Sequence, residues 1–184
     1  MGTQIATDIG TELRKLESQQ NRMKLDIELV PTPLWRESLY RLLTSGQWDK
    51  IRKPALDRAA GRCEVCNDAT ARLLSHEQWQ YDDATGVRKL TGVRAVCGPC
   101  SSVMHIGRAG KVAAQGELSL DNVYFHFMRV NSIDWPTAQK AIDAAFAIHG
   151  QRSQQEWTTD FGPYQSVVDE RRAQFPDGRI PVKK

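Results

Sequence analysis

The stretch from Cys63 to Cys100, CEVCNDATARLLSHEQWQYDDATGVRKLTGVRAVCGPC, decides how this chain folds. It begins and ends with a C-x-x-C motif, and 30 residues separate Cys66 from Cys97. A C-x-x-C turn, here called a knuckle, places two thiolates close enough to bind one tetrahedral zinc ion, and two knuckles supply the four ligands of a closed structural site. The spacing therefore predicts one structural zinc ion bound by Cys63, Cys66, Cys97 and Cys100.

The second knuckle also has a redox alternative. C-G-P-C between a strand and a helix is found in thioredoxin-like active sites. The strand and helix alternation of that fold is missing here, and a redox role leaves Cys63 and Cys66 unexplained. A zinc ion with four protein ligands has no open position, so we expect it to stabilise the fold while any chemistry comes from other residues.

The residues between and after the knuckles predict a compact order of elements. Residues 71–81 and 87–97 resemble strands, and the DDATG between them has the length of a hairpin turn. Residues 101–110 resemble one short helix that ends at glycine. The predicted order is knuckle, hairpin, knuckle, helix.

The flanking segments predict mainly helices. Residues 25–31 alternate apolar and polar side chains, which predicts a short strand. Residues 33–43 and 47–62 have the apolar spacing of two helices. An interior proline costs about 3 kcal/mol, so Pro54 predicts a kink or a new start in the second one.

The C-terminal third also has helical periodicity. Residues 120–130 place Val123 and Phe127 on one face, and a further helix is predicted from a cap at Asp134 to Gly150. The tail beyond it has no clear pattern.

Together these patterns predict an α+β fold in three parts. Residues 1–24 form a polar arm or helix, residues 25–112 a zinc-stapled ββα module with a preceding strand and helices, and residues 113–184 a helical extension.

Composition narrows the class of protein. The chain has 184 residues, 40% of them hydrophobic, which suits one domain of ordinary size. It lacks an apolar run of about 18 residues and an N-terminal secretory signal, so we expect a cytoplasmic protein without membrane partners. In a reducing compartment, paired cysteines favour metal over disulfides. The net charge of +3 neither requires nor excludes nucleic acid.

Five short motifs resemble those of bacterial and phage HNH-endonuclease-like proteins, and the resemblance covers roughly residues 25–150. The motifs are WDKIRK at 48–53, CEVC at 63–66, SHEQWQYD at 75–82, AVCGPC at 95–100 and HIGRA at 105–109. The resemblance implies a zinc-bound treble-clef finger of the ββα-metal type that acts on DNA. In that family a strand histidine activates water, and a divalent ion held partly by a helix histidine stabilises the phosphate. By position, His76 would be the general base and His105 the metal ligand or phosphate contact.

Two positions depart from the family pattern. Ser101 stands where many HNH-like proteins have a histidine, and Ser75 stands where an acid or histidine is common. A serine hydroxyl is a poor ligand for Mg²⁺ or Mn²⁺. A second site for Mg²⁺, Mn²⁺ or Ni²⁺ would then depend on unusual geometry at His105 and Glu77.

Two functions follow as alternatives. The first is a nuclease with His76 as base and His105 at the metal, whose phosphate contacts are Lys50, Arg52, Lys53 and Arg108. The second is an inactive relative that binds nucleic acid or a protein partner, for example as a phage-derived inhibitor.

Each candidate residue also has a structural interpretation. The basic residues of the helices can be a solvated face, and both histidines can be structural. Trp79 and Tyr81 are expected in the core rather than stacked on bases. A protein-binding role would use exposed apolar residues such as Phe125, Phe127 or Trp135. His126 and His149 fall in helical patterns and are expected to fill surface or core positions.

Overall fold

The computed structural model describes residues 23–70 and 72–181, so the predicted arm at 1–24 lies outside the described residues apart from its last two. The described fold is mixed α+β, as predicted, and none of its helices is long and apolar enough to cross a membrane. The helices are α1 (Leu39–Leu42), α2 (Ser45–Ala59), α3 (Gly98–Met104), α4 (Ile106–Ala113), α5 (Leu120–Asn131), α6 (Trp135–Arg152) and α7 (Gln165–Ala173). The strands are β1 (Leu74–Asp82), β2 (Val87–Val96) and β3 (Thr158–Asp160), and short 3₁₀ turns occupy Thr32–Leu34 and Gly162–Tyr164.

The hairpin between the knuckles is confirmed. Strand β1 pairs antiparallel with β2, from Leu74 opposite Val96 to Asp82 opposite Val87, with a bulge between Gln78 and Trp79. The turn is held by the Asp82 carboxylate, which accepts the N–H groups of Ala84 and Thr85 at 3.0 and 3.3 Å. Such local side-chain bonding is why aspartate favours turns. The hairpin thus spans the interval between the two cysteine pairs.

Strand β3 comes from the tail, where the sequence has no clear pattern. It pairs parallel with β2, and Val87 lies opposite Thr158. A strand of three residues is too short to show an alternation in the sequence, so its position depends on the strand it joins.

The chain divides into two compact units. The first contains the described residues up to 29 together with 98–151, and in it α3 packs against α5. The second contains the described residues of 30–97 and those from 152 to 181. Its core is formed by buried side chains from the early helices, the hairpin and the tail: Leu39, Leu42, Leu43, Trp48, Leu90, Phe161 and Val168.

The predicted strand at residues 25–31 is wrong. The segment is irregular, although Leu25 and Ile27 are buried as the alternation implies. Its backbone bonds to helices instead of a sheet: the Asn131 side chain bonds the N–H and carbonyl of Leu25, and the N–H of Glu28 donates to the Met104 carbonyl at 2.9 Å. Alternation therefore reports burial here and not strand pairing.

Helix α2 does not restart at Pro54, so the predicted new start is wrong. The chain stays helical from Ser45 to Ala59. A capping box begins it, in which Thr44 Oγ1 accepts the N–H of Gln47 at 3.3 Å and Gln47 Oε1 accepts that of Thr44 at 2.9 Å. Pro54 lies on the exposed side, where its ring meets solvent.

The remaining helix predictions are partly correct. The single helix predicted at 101–110 is two, because α3 already begins at Gly98 and the chain breaks at His105 before α4. Asp134 caps α6 as predicted, accepting the N–H of Thr137 at 3.0 Å. Helix α6 continues two residues past Gly150, to Arg152.

Candidate metal centre

The first knuckle is a tight turn that follows α2. The N–H of Asn67 donates to the Cys63 carbonyl at 2.9 Å, and the N–H of Cys63 donates to the Asp68 carbonyl at 3.0 Å. Asn67 has φ of +66°, in the left-handed region that asparagine adopts more readily than most residues. These bonds fold the chain back on itself directly after Cys66.

Glu64, between the first two cysteines, fastens this knuckle to the end of β2. Its N–H donates to the Ala95 carbonyl at 2.9 Å, and its carboxylate accepts the Ala95 N–H at 2.6 Å. Arg58 adds an ion pair at 2.7 Å. Burial opposes ionisation, but the bonds from Arg58 and Ala95 hold the pKa of Glu64 below its usual range. Because Ala95 lies two residues before Cys97, this clamp places the first knuckle beside the second.

The four cysteines lie together. The Sγ atoms of Cys63, Cys66, Cys97 and Cys100 are all within 4.8 Å of one another, and those of Cys66 and Cys97 are 3.7 Å apart. Tetrahedral zinc with bonds of about 2.3 Å requires sulfur atoms about 3.8 Å apart. The cluster therefore has the ligand type, number and spacing to hold a metal ion such as zinc, as the sequence predicts.

The Cys63 thiol is also prepared for deprotonation. Burial raises the pKa of the Cys63 thiol, but bonds from the backbone N–H groups of Cys66, Cys97 and Val65 and from the Cys66 thiol bring it down to about 7. All four cysteines are free thiols. The sulfur 3.7 Å from Cys97 belongs to Cys66 of the other knuckle, which suits shared metal binding better than a disulfide within C-G-P-C.

His126 is a contact of the cluster that the sequence pattern does not reveal. Its Nε2 lies 3.1 Å from Cys100 Sγ, and its Nδ1 lies 3.2 Å from the guanidinium of Arg129. The sequence predicts a surface or a core position for His126, and the residue is buried. It also contacts a candidate metal ligand. The sequence shows that His126 and Arg129 are three residues apart on one helix. It gives no sign of the contact with Cys100, which lies 26 residues away.

Glu77, in the motif that resembles HNH proteins, supports the fold. Its Oε1 accepts the N–H of Tyr40 at the start of α1 at 2.9 Å, while Oε2 is buried without a hydrogen-bond partner. Burial raises the pKa of this carboxyl, although the N–H groups of Tyr40 and Leu39 and the charge of Arg88 act in the opposite direction. The carboxyl thus joins the hairpin to α1 rather than facing open solvent.

The aromatic residues of the same strand pack within the second unit. The guanidinium of Arg88 lies 3.8 Å from the centre of the Trp79 ring, which meets Phe161 edge to face. Tyr81 meets the edge of Trp157, and Arg152 lies over its ring. Trp79 thus packs, partly buried, against the core of the second unit as expected, whereas Tyr81 is half-buried outside that core.

The two candidate catalytic histidines have different surroundings. His76 lies on β1 opposite Arg94 and is 6% exposed. The hydroxyl of the preceding residue, Ser75, is buried without a hydrogen-bond partner, on the opposite face of the strand. His105 is half-buried between α3 and α4, where its carbonyl accepts the N–H groups of Arg108 and Ala109. The neighbouring Ser101 is half-buried and accepts the His105 N–H through its carbonyl.

The side chains of residues 23–70 and 72–181 give no support for a second divalent ion. Within these ranges the four cysteines are the one group of three or more Cys, His, Asp or Glu side chains whose ligand atoms converge. Neither His76, His105 nor Glu77 belongs to such a group. This geometry therefore gives no support for a hydrolytic step through a second ion.

Two of the four cations predicted to contact phosphate form ion pairs with carboxylates on the same helix. Lys50 and Arg108 are exposed on α2 and α4. Arg52 pairs with Asp49 at 2.6 Å and Lys53 with Asp57 at 3.1 Å, both on α2. Two of the four cations are thus already engaged by neighbouring carboxylates.

The aromatic residues predicted for a protein-binding face differ in their exposure to solvent. Phe127 is fully buried, whereas Phe125 is 64% and Trp135 43% exposed. These two, with Tyr124 and Met128, line an open groove of about 540 Å³ on the first unit.

No protein-family model matches the chain, and no curated protein or solved structure matches it.

Proposed function

We propose that this protein is a zinc-stabilised, HNH-like module of treble-clef type that binds DNA without cleaving it. The observation that carries the proposal is the cluster of four cysteine sulfurs, which unites the two knuckles around the hairpin and the start of α3. This arrangement retains the order knuckle, hairpin, knuckle, helix, and the DNA partner follows from the motifs within it that resemble HNH proteins.

Binding without cleavage follows from the surroundings of the candidate catalytic groups. A general base must come within hydrogen-bond reach of the water it activates, and His76 is 6% exposed. Serine occupies both positions, 75 and 101, where the family commonly has a ligand. Within the described chain no second group of ligands converges near either histidine. These features favour a scaffold that retains the zinc knuckles without the hydrolytic site.

The contacts to DNA would come from cations on two helices. Lys50 and Arg108 are exposed, and each phosphate that a cation neutralises releases counterions. Arg52 and Lys53 can exchange their carboxylate partners for phosphates at small cost, because exposed ion pairs contribute only about 0–1 kcal/mol. The proposed binding is therefore electrostatic and sensitive to salt.

Metal-dependent cleavage is the second candidate function, and the position of His76 in the SHEQWQYD motif that resembles HNH proteins favours it. In this alternative His76 is the general base at the position that the family uses.

The first experiment measures binding of the zinc-loaded chain to a labelled DNA duplex by fluorescence anisotropy over a series of salt concentrations. The double variant Lys50→Gln/Arg108→Gln is expected to bind more weakly and to lower the salt slope by roughly 2, about one for each lost phosphate contact. Lys140→Gln, which removes an exposed lysine from α6, is the matched control. Absence of binding by the wild type at low salt would refute DNA as the partner.

The second experiment tests cleavage of supercoiled plasmid with added Mg²⁺, Mn²⁺ or Ni²⁺, beside His76→Ala and His105→Ala. No nicking is expected with any of these ions. If the wild type nicks plasmid and folded His76→Ala does not, the protein is the nuclease of the second candidate and the non-cleaving proposal is wrong.

A further inference from the structure

Two side chains of α5 form a chain of contacts that ends on a zinc-ligand sulfur. Arg129 Nη2 lies 3.2 Å from His126 Nδ1, and His126 Nε2 lies 3.1 Å from Cys100 Sγ. His126 is 7% exposed and Cys100 is fully buried. The contact to sulfur is therefore largely removed from competition by water.

Hydrogen-bond chemistry determines which atom donates and which accepts in these two contacts. A guanidinium has donors and no acceptor, so His126 Nδ1 must be the acceptor towards Arg129. A neutral imidazole carries its one proton on the other nitrogen, which places N–H at Nε2. His126 therefore donates to the Cys100 sulfur, and a donor directed at a thiolate makes a charge-assisted bond.

A cysteine and histidine at this distance also resemble an activated nucleophile and its base. That role requires a substrate to reach the sulfur. Here Cys100 is 0% exposed and its sulfur lies within 4.8 Å of three other thiols. The geometry suits a metal ligand and its outer partner better than a catalytic pair.

We propose that His126 is a positioning residue of the zinc centre. Its Nε2–H holds the Cys100 thiolate in the orientation that binds zinc and offsets part of the negative charge gathered by four thiolates, while Arg129 keeps the imidazole in the donating tautomer. Loss of such an outer partner typically weakens metal binding roughly 10–100-fold. This role concerns the zinc centre alone and does not depend on DNA binding.

The test is zinc affinity, measured on the full chain by competition with a chelating dye. His126→Leu removes the donor but keeps an apolar side chain at the buried position, and His126→Gln retains an N–H donor near the position of Nε2. The Leu variant is expected to bind zinc roughly 10–100-fold more weakly and the Gln variant to recover most of the loss. His149→Leu, on α6, is the control and should bind like the wild type. Equal affinity of the Leu variant and the wild type, or no recovery with Gln, overturns the proposal.

Two measurements on the unmodified protein keep the test independent of whether the variants fold. Long-range ¹H–¹⁵N spectra of the zinc-loaded chain should show His126 neutral with its proton on Nε2, and a proton on Nδ1 overturns the proposal. The Co²⁺-substituted chain should have the absorption spectrum of four thiolate ligands. A spectrum of three thiolates and one imidazole would make His126 a ligand and also overturn it.

Discussion

At the scale of single residues, Glu77 is an acid placed where its charge is poorly solvated. One carboxylate oxygen bonds the Tyr40 N–H, while the other is buried without a hydrogen-bond partner. An unsatisfied buried oxygen costs about 1–3 kcal/mol, and more when it is charged. Burial consequently raises the pKa of Glu77, although Tyr40, Leu39 and Arg88 favour its ionised form. Ionisation of this side chain therefore opposes folding.

This shift predicts a pH-dependent effect of Glu77→Gln. Above the ordinary carboxyl pKa of 4.5, the folded state still holds a proton that the unfolded state has lost. The wild-type stability must therefore fall as pH rises from 4.5 to the raised pKa of the folded state, because the unfolded state binds fewer protons. Glutamine keeps the acceptor for Tyr40 without the charge. We expect the variant to gain stability relative to the wild type across this window and to hold that gain at higher pH.

Urea unfolding of both proteins between about pH 4 and pH 8 measures this difference, in which other titrations cancel. Glu170→Gln removes an exposed acid from α7 and serves as the control. If the Glu77→Gln difference is as flat as that of the control, the carboxyl does not ionise at a folding cost and the explanation is wrong.

The sequence predicts some functional residues at this scale and misses others for a physical reason. The four cysteines are visible because each pair is local and the chemistry of C-x-x-C is specific. The contacts that give Glu77 and His126 their structural roles are not visible, because the partners Tyr40 and Cys100 lie 37 and 26 residues away. A side chain whose role depends on a distant partner leaves no periodic pattern.

At the scale of elements, helix α2 is continuous although it contains a proline in its interior. Pro54 is the tenth of 15 residues in the helix and cannot donate to the carbonyl one turn before it. The helix is nevertheless continuous, because its capping box and the burial of Trp48, Ala55 and Ala59 favour it. Packing thus outweighs the local cost of Pro54, and the helix does not begin anew there.

Pro54→Ala is therefore expected to stabilise the protein, by roughly 1–3 kcal/mol, since an interior proline is about 3 kcal/mol less favourable than alanine and the loss of its rigidity offsets part of the gain. Pro136→Ala is the matched control, because Pro136 lies in the first turn of α6, where no helical N–H bond is lost. Urea unfolding should show a higher midpoint for Pro54→Ala alone. A lower midpoint would mean that the ring makes packing contacts worth more than the missing bond.

The hairpin and strand predictions show what periodicity can establish. The hairpin was predictable because its turn has the right length and both strands pair with each other along the chain. The alternation at residues 25–31 correctly indicates that Leu25 and Ile27 are buried, yet the backbone of this segment bonds to helices. Sequence periodicity therefore predicts which faces are buried more securely than it predicts the partner of a strand.

At the scale of the whole molecule, both compact units are assembled from segments distant in sequence. Among the described residues, one unit combines those before 30 with 98–151, and the other combines those of 30–97 with the tail. The tail contributes Phe161 and Val168 to the same core as Leu39 and Leu90. Local sequence patterns change at the boundaries of elements but carry no information about which distant segments pack into the same core. The sequence therefore does not predict these non-contiguous units.

Zinc removal tests the metal centre as a determinant of stability for the whole chain. One zinc ion per chain is expected by elemental analysis, since the described residues converge on one cluster of four thiols. At a zinc concentration 100-fold above its Kd, binding contributes about 2.7 kcal/mol. A chelator should then lower the thermal midpoint followed by circular dichroism by roughly 5–11 °C, and added zinc, but not calcium, should restore it. Cys97→Ser should begin at the lower midpoint and be insensitive to the chelator, because it already lacks a ligand. Elemental analysis must first show that the chelator has removed the zinc. If the wild-type midpoint is then unchanged, hydrogen bonds such as those of Glu64 with Ala95 hold the two knuckles together without the ion.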